Sequence, residues 1–181
     1  MEKLVKISVM SKGRGLGALV LNAALVLTTA LVLTAVVAGP ALADRASGQK
    51  AMAAGDYAAA MAELKPLAEA GDALAQFDVG AMYDNGLGVA ADQVEAARWF
   101  KRAALQGDQS AMFNLGVMYE DGVGVGRDPV LAYVYFSLSV SEGPLYASRN
   151  RDKVKAGLTV DEVARGDELV RNFKPVPESK Q

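Results

Sequence analysis

The chain has 181 residues, with 19 Lys+Arg against 21 Asp+Glu and neither cysteine nor histidine. The two absences exclude a thiolate nucleophile, a disulfide, a Cys/His zinc site, a Ser-His-Asp triad and a histidine general base, so any enzyme here would run on carboxylates, Lys, Tyr or Ser. A hydrophobic content of 51% excludes an acidic disordered chain, and a net charge of −2 gives no reason to expect nucleic acid as a partner. Glycine, at 18 residues and with no three-residue period, is high for a helical domain.

Residues 1–43 read as an export signal. Lys3, Lys6, Lys12 and Arg14 stand against a single Glu2 and precede 22 uncharged residues, Ala18 to Gly39. Gly39-Pro40 then breaks the helix, and Ala41-Leu42-Ala43 supplies a small-x-small cleavage site. The expected cut falls between Ala43 and Asp44, which makes the protein periplasmic. The rival is a retained membrane anchor, since residues 18–39 are long enough to span a bilayer; Asn22 and three threonines weaken that reading, and secretion is a further alternative. Nothing supports twin-arginine or lipoprotein export. Met10-Ser-Lys-Gly-Arg14 would also make a basic start. Gly13-Arg-Gly-Leu-Gly17 lacks a preceding strand and is no nucleotide loop. Without residues 1–43 the chain carries 15 basic and 20 acidic residues, a net charge of −5.

A repeat follows. Ala75-Gln-Phe-Asp-Val-Gly-Ala-Met-Tyr-Asp-Asn-Gly-Leu-Gly-Val89 recurs as Ala111-Met-Phe-Asn-Leu-Gly-Val-Met-Tyr-Glu-Asp-Gly-Val-Gly-Val125, an offset of 36. The offset also relates Asp92 to Asp128, Ala96 to Ala132, Trp99 to Tyr135 and Gly107 to Gly143, and it extends backwards to Asp56, Ala60 and Gly71. Each unit predicts two helices. In the first, Ala75, Val79, Gly80 and Tyr83 share a face, as do Ala111, Gly116 and Tyr119 in the next unit; in the second, Ala96, Phe100, Ala103 and Ala104 do. Asp92 and Asp128 are expected as N-caps, with Pro129 in the first helical position. Gly71, Gly107 and Gly143 are expected at the ends of second helices. Gly86, Gly88, Gly122 and Gly124 belong to a loop between helices, with Val89 and Val125 tucked beneath it; an anion-cradling role is disfavoured because the loop repeats and lacks a P-loop Lys-Ser/Thr.

This pattern resembles the Sel-one-like repeat family, a longer-looped relative of the tetratricopeptide repeat. The resemblance implies an all-α, right-handed α/α solenoid of two-helix repeats. Its units would be an opening tetratricopeptide-like pair at 44–72, repeats at 73–108 and 109–143, and a degenerate capping pair at 144–173. The disulfides of the family's cysteine-rich branch, to which β-lactam binding is ascribed, are absent. Thr159 to Glu162 forms a capping box ahead of the last helix. Lys174 to Gln181 has two prolines and no periodicity and is expected to be a disordered tail.

Candidate chemistry is sparse. Ser47-Gly-Gln-Lys50 is formally an S-x-x-K without its companion motifs. Asp84, Glu120 and Asp121 are acidic positions near helix ends that could pair or hold calcium weakly, although EF-hand spacing is missing. Arg149, Arg151, Lys153 and Lys155 form a basic run interrupted by Asp152, usually a solvated face. By resemblance to tetratricopeptide proteins, the groove-facing positions are Phe77 and Ala81, then Phe113 and Val117, with Arg45 and Gln49 in the opening unit; Asp84 and Glu120 lie one turn further. The alternative for Phe77 and Phe113 is core between repeats. The expected function is therefore an exported, non-catalytic scaffold that presents a concave helical surface to a protein or peptide, without cofactor or metal. The alternatives are an envelope hydrolase or cell-wall or β-lactam binder, and a secreted factor that binds host proteins.

Overall fold

A computed structural model describes residues 44–140 and 146–178; the export-type segment 1–43 and Gly143 lie outside the described residues. Eight helices occur among them: α1 Arg45–Ala53, α2 Tyr57–Glu69, α3 Ala73–Asn85, α4 Gln93–Leu105, α5 Gln109–Asp121, α6 Pro129–Ser139, α7 Ala147–Lys155 and α8 Val160–Asn172. None of the described helices is long and apolar enough to cross a membrane.

Aspartates start most of the helices. Asp44, Asp56, Asp72, Asp92, Asp108 and Asp128 each accept a backbone N–H of the first turn of α1 to α6. The carboxylate satisfies an amide that has no partner within the helix, and it also lies at the positive end of the helix dipole. Asp92 and Asp128 cap as expected, and Pro129 begins α6. Thr159 and Glu162 form the reciprocal capping box of α8. At the other ends, α3 and α5 stop in left-handed Gly86 and Gly122, and Gly71 and Gly107 follow α2 and α4 at φ 100°.

Packing within a unit depends on one glycine of the first helix. A Cβ on Gly80 would come within 2.8 Å of the Phe100 ring, and one on Gly116 within 2.6 Å of Phe136. Gly48 does the same against Leu64 at 2.5 Å, so α1 and α2 repeat the arrangement with a shorter connection. Removing the side chain from the first helix lets an aromatic ring of the second lie flat on its backbone. Ala75, Ala96, Ala111 and Ala132, all buried, line the same seams.

Packing between units depends on the loops. Gly88 sits on the backbone of Tyr57, where a Cβ would lie 2.5 Å from the carbonyl oxygen, and Gly124 sits closer still on Gln93. Each loop glycine therefore rests on the first residue of the preceding unit's second helix. The loops close through Asp92 N–H to the Tyr83 carbonyl at 3.0 Å and Asp128 N–H to Tyr119 at 2.9 Å. Val89 and Val125 pack against the core beneath them. Trp99, nearly buried, fills the junction of α2, α3 and α4. Its repeat partner Tyr135 stacks on Tyr119 at 5.6 Å, and burial pushes the Tyr135 hydroxyl up to about 12.

At the far end, Gly166 brings α8 onto the Tyr133 ring, whose hydroxyl donates to Asp167 at 2.5 Å. The disorder expected after α8 does not extend over all of 174–181. Residues 174–178 lie against the repeats: Val176 N–H donates to the Leu105 carbonyl at 3.0 Å, and Glu178 pairs with Arg102 at 2.7 Å. Two prolines removed helical periodicity from this stretch, but an extended segment needs none to be held by hydrogen bonds to its neighbours.

Candidate functional site

The first helices of the units, α1, α3 and α5, carry the expected groove positions. Phe77 and Phe113 are both half-buried rings. Phe77 packs on Phe100 at 5.8 Å, and Phe113 lies between Phe136 at 5.5 Å and Tyr146 at 4.8 Å. Each belongs partly to the core of its own unit, and Ala81 and Val117 pack beside them. The tilted and edge-on geometries are those that ring quadrupoles favour over a face-to-face sandwich.

Where the end of α3 meets α5 there is a cleft of about 290 Å³. Its floor is Phe100, Val117 and Met118, and Asp84, Gln93, Asn114 and Asp121 line it. A second cleft, of about 330 Å³, contains Glu120, Pro129, Lys153, Val154 and Gly157. These five are Asp84, Gln93, Val117, Met118 and Asp121 moved on by 36 residues, so one site occurs twice. In both, a polar side chain covers the carbonyl of the acidic residue: Gln93 Nε2 donates to Asp84 O at 2.9 Å, and Arg127 Nε to Glu120 O at 3.1 Å.

The two clefts differ in charge as well as in lining: Gly157 replaces Asp121, and Pro129 replaces Gln93. In the second, Lys153 stands where the first has Val117, and its ammonium donates to Glu120 Oε1 at 2.8 Å. That hydrogen bond, reinforced by the Glu120 charge and by Asp121, holds the Lys153 ammonium above its ordinary pKa. In the first cleft no hydrogen bond or ion pair engages the Asp84 or Asp121 carboxylate among the described residues; the Asp121 charge acts on Lys153, which Glu120 already holds.

Similarity to known proteins agrees with this geometry. The family model described as Sel1 repeat matches residues 73–108 and 109–144. A Sel1 repeat protein from Oxalobacter formigenes, whose crystal structure is known, is 35% identical over 52% of this chain and 71% of its own, with a TM-score of 0.50. This chain belongs to the Sel1 repeat family. The crystal structure of c5321, described as a protective antigen present in uropathogenic Escherichia coli strains and displaying an SLR fold, is 32% identical over 64% of this chain, with a TM-score of 0.61. The chain spans only 25% of the length of c5321. No curated protein matches the chain. The all-helical Sel1 solenoid expected from the sequence is the fold observed.

Within the Sel1 repeats, the structure divides the expected binding residues. It brings Asp84 and Val117 together in the first cleft and places Glu120 in the second, facing α7. Gln49 is exposed on α1. Arg45 does not stand open: its Nε lies 3.4 Å from Oδ2 of the nearly buried Asp78. Neither atom has a hydrogen bond of good geometry, so the attraction is chiefly Coulombic. Burial raises the Asp78 pKa, and the Arg45 charge and the Gln49 side chain oppose that shift. In the basic run, Arg151 pairs with its neighbour Asp152 at 2.7 Å and Lys153 with Glu120. Ser47 donates to the capping Asp44 at 3.5 Å, a helix-start contact. No group of three or more acidic residues that could hold a metal occurs among the described residues.

Two features escaped the sequence. Asp78 is legible only as a helix residue, and no local pattern joins Gln76, Arg102 and Gln106 into a cluster. One signal could have found the cluster: at the 36-residue offset Gln76 becomes Met112 and Arg102 becomes Leu138, so polar groups stand at positions the repeat makes apolar.

Proposed function

We propose that this Sel1 repeat protein is a non-catalytic protein-interaction module. It holds a partner polypeptide on the face of its first helices, and the cleft at Asp84 receives a basic side chain of that partner. The observation that carries this reading is the pair of equivalent clefts. In one, the chain's own Lys153, itself largely exposed, sets its ammonium on Glu120 at the rim. The other has an apolar floor of Phe100, Val117 and Met118, two carboxylates, and no Lys or Arg in its lining. A lysine or arginine in such a site gains a charge-assisted hydrogen bond to a carboxylate.

Two variants test the cleft. Asp84→Asn with Asp121→Asn removes the charge, and Val117→Lys copies the Lys153 arrangement and engages the Asp84 carboxylate from within. Both are expected to weaken partner capture from envelope extracts by at least about tenfold, as one charge-assisted bond implies, while helical circular dichroism stays native. Undiminished capture by both folded variants would exclude the cleft as the site.

We further propose export. The basic start, the uncharged stretch and the Ala41-Leu42-Ala43 site support it. Mass spectrometry of the protein made in its own cell is expected to find an N-terminus at Asp44; a chain still beginning at Met1 or Met10 would instead support an anchor.

A further inference from the structure

Gln76, Arg102 and Gln106 lie outside the cleft and are held in a fixed arrangement where α2, α3 and α4 meet. Gln76 is fully buried in α3. Its Nε2 donates to the Ala68 carbonyl at 3.0 Å, and its Oε1 accepts from Gln106 Nε2 at 2.9 Å. Gln106 Nε2 also reaches the Gly71 carbonyl at 3.0 Å. Arg102 lies over the Trp99 ring at 4.4 Å and donates through Nη2 to the Ala68 carbonyl at 3.1 Å. Three donor-bearing side chains are thus braced by backbone carbonyls and an indole, at the junction of α2, α3 and α4.

Arg102 Nη2 also reaches the Glu69 carbonyl at 3.5 Å, and the other hydrogen bonds of the three converge on one short segment. Arg102 Nε donates to Glu178 Oε1 at 2.7 Å, and Gln76 Nε2 donates to Oε2. The Glu178 N–H donates to Gln106 Oε1 at 3.2 Å, and two residues earlier the Val176 N–H donates to the Leu105 carbonyl. Pro175 lies over Gly107, where a Cβ would come within 3.2 Å of it, and a Cβ on Gly71 would come within 3.4 Å of Glu178 Oε2. The two helix-end glycines therefore also form the floor under this segment. The Arg102 hydrogen bond holds the Glu178 carboxyl below the usual range, against the opposing effect of partial burial.

We propose that this socket is a second peptide-reading site, independent of the cleft, which selects an acidic side chain two residues after a main-chain N–H in an extended segment of a partner protein, and that residues 175–178 occupy it in cis. Each part of the selection has its own group. The Leu105 carbonyl takes the first N–H, Gln106 Oε1 takes the N–H two residues on, and Arg102 with Gln76 takes the carboxylate. Because the socket's side chains are already braced by Ala68, Gly71 and Trp99, a ligand from outside meets an organised site and costs little rearrangement. Glutamine would fail there, since its amide would set N–H against N–H at Arg102 or Gln76 and leave a buried donor unpaired. Tethering gives the chain's own segment an effective concentration in the millimolar range, so a partner must displace it. The charge preference is opposite to that of the cleft, and the two sites can fail separately.

The test uses a fluorescein-labelled peptide of the sequence Lys174–Gln181 and the full chain. Glu178→Ala, which releases the internal ligand, is expected to bind the peptide at least about tenfold tighter than the unaltered chain. A peptide with Gln in place of its Glu is expected to bind Glu178→Ala at least about tenfold more weakly, as loss of a charge-assisted pair requires. Gln76→Met in the Glu178→Ala chain puts the next repeat's residue into the socket and is expected to abolish binding; if it alters the melting curve, Arg102→Gln takes its place. Failure of Glu178→Ala to bind the peptide, equal binding by Glu178→Ala and the unaltered chain, or equal binding of the Glu and Gln peptides would each overturn the proposal.

Discussion

Gly124→Ala is expected to destabilise the protein by about 3 kcal/mol or more, the sum of a strained backbone and an overpacked contact. Gly124 has φ 69°, a region where a Cβ is unfavourable, and that Cβ would overlap the backbone carbonyl of Gln93. A flexible side chain could move aside; a helix's first peptide group, fixed by the Asp92 cap, cannot. Other glycines separate the contributions. Gly55 has φ 76° with open space around it, so Gly55→Ala isolates the conformational cost at about 1 kcal/mol. Gly126 has neither constraint, and Gly126→Ala is expected to stay within about 0.5 kcal/mol of the original. Gly116→Ala meets only the Phe136 ring inside a helix, where alanine otherwise gains up to about 1 kcal/mol in helix propensity, so the overpacking must exceed that gain for the variant to lose stability. Urea unfolding followed by circular dichroism reads all four. The order Gly124, then Gly55, then Gly126 is the decisive outcome; a Gly124→Ala chain as stable as Gly126→Ala would show that the loop does not clamp the two units together.

The second large effect is expected at Arg45. Arg45→Met leaves Asp78 nearly buried without its cation and should cost about 1–3 kcal/mol, below the value for a fully buried pair because the arginine is partly exposed. Adding Asp78→Asn should restore most of the loss, since the penalty belongs to the orphaned charge. The pH dependence gives an independent check. Asp78 already titrates above its unfolded value, mainly through burial. A raised carboxyl binds its proton more tightly in the folded chain, so its ionisation costs stability above the folded pKa, and that cost disappears as the pH falls through the folded value towards the unfolded one. Removing Arg45 takes away the chief opposing influence. The stability difference between Arg45→Met and the original is therefore expected to be largest at neutral pH and to shrink as the pH approaches 4. A difference that stays constant with pH would show that Arg45 acts through packing alone.

Much of the repeat was readable because it is periodic. The 36-residue offset marked Gly80 and Gly116, Asp92 and Asp128, and the loop glycines; the aspartates and loop glycines have the local geometry that their residue types favour, whereas Gly80 and Gly116 serve the contact with Phe100 and Phe136. The candidate site was only half readable. Positions such as Phe77, Val117 and Asp84 could be placed on the groove face by resemblance to tetratricopeptide proteins, but their environments could not. Phe77 and Phe113 are drawn partly into the core by Phe100 and Phe136, and Glu120, equivalent to Asp84 in the repeat, is already engaged by Lys153. The relation of the two clefts is visible only when α7, whose sequence had lost the repeat's glycine and tyrosine, is seen packed in the register of α5.

By itself the sequence determined the helical class, the unit length, the starts of α4, α6 and α8, the glycine turns, and membership in a repeat family, because caps, turn glycines and 3.6-residue periodicity act over a few neighbouring residues. Tertiary structure alone decided which charges are paired and which stand open. Arg45 meets Asp78 across 33 residues, Lys153 meets Glu120 across 33, and Glu178 meets Arg102 across 76. No local rule specifies such encounters: they follow from how successive units stack, and the stacking turns on a few ångströms of space above Gly88 and Gly124.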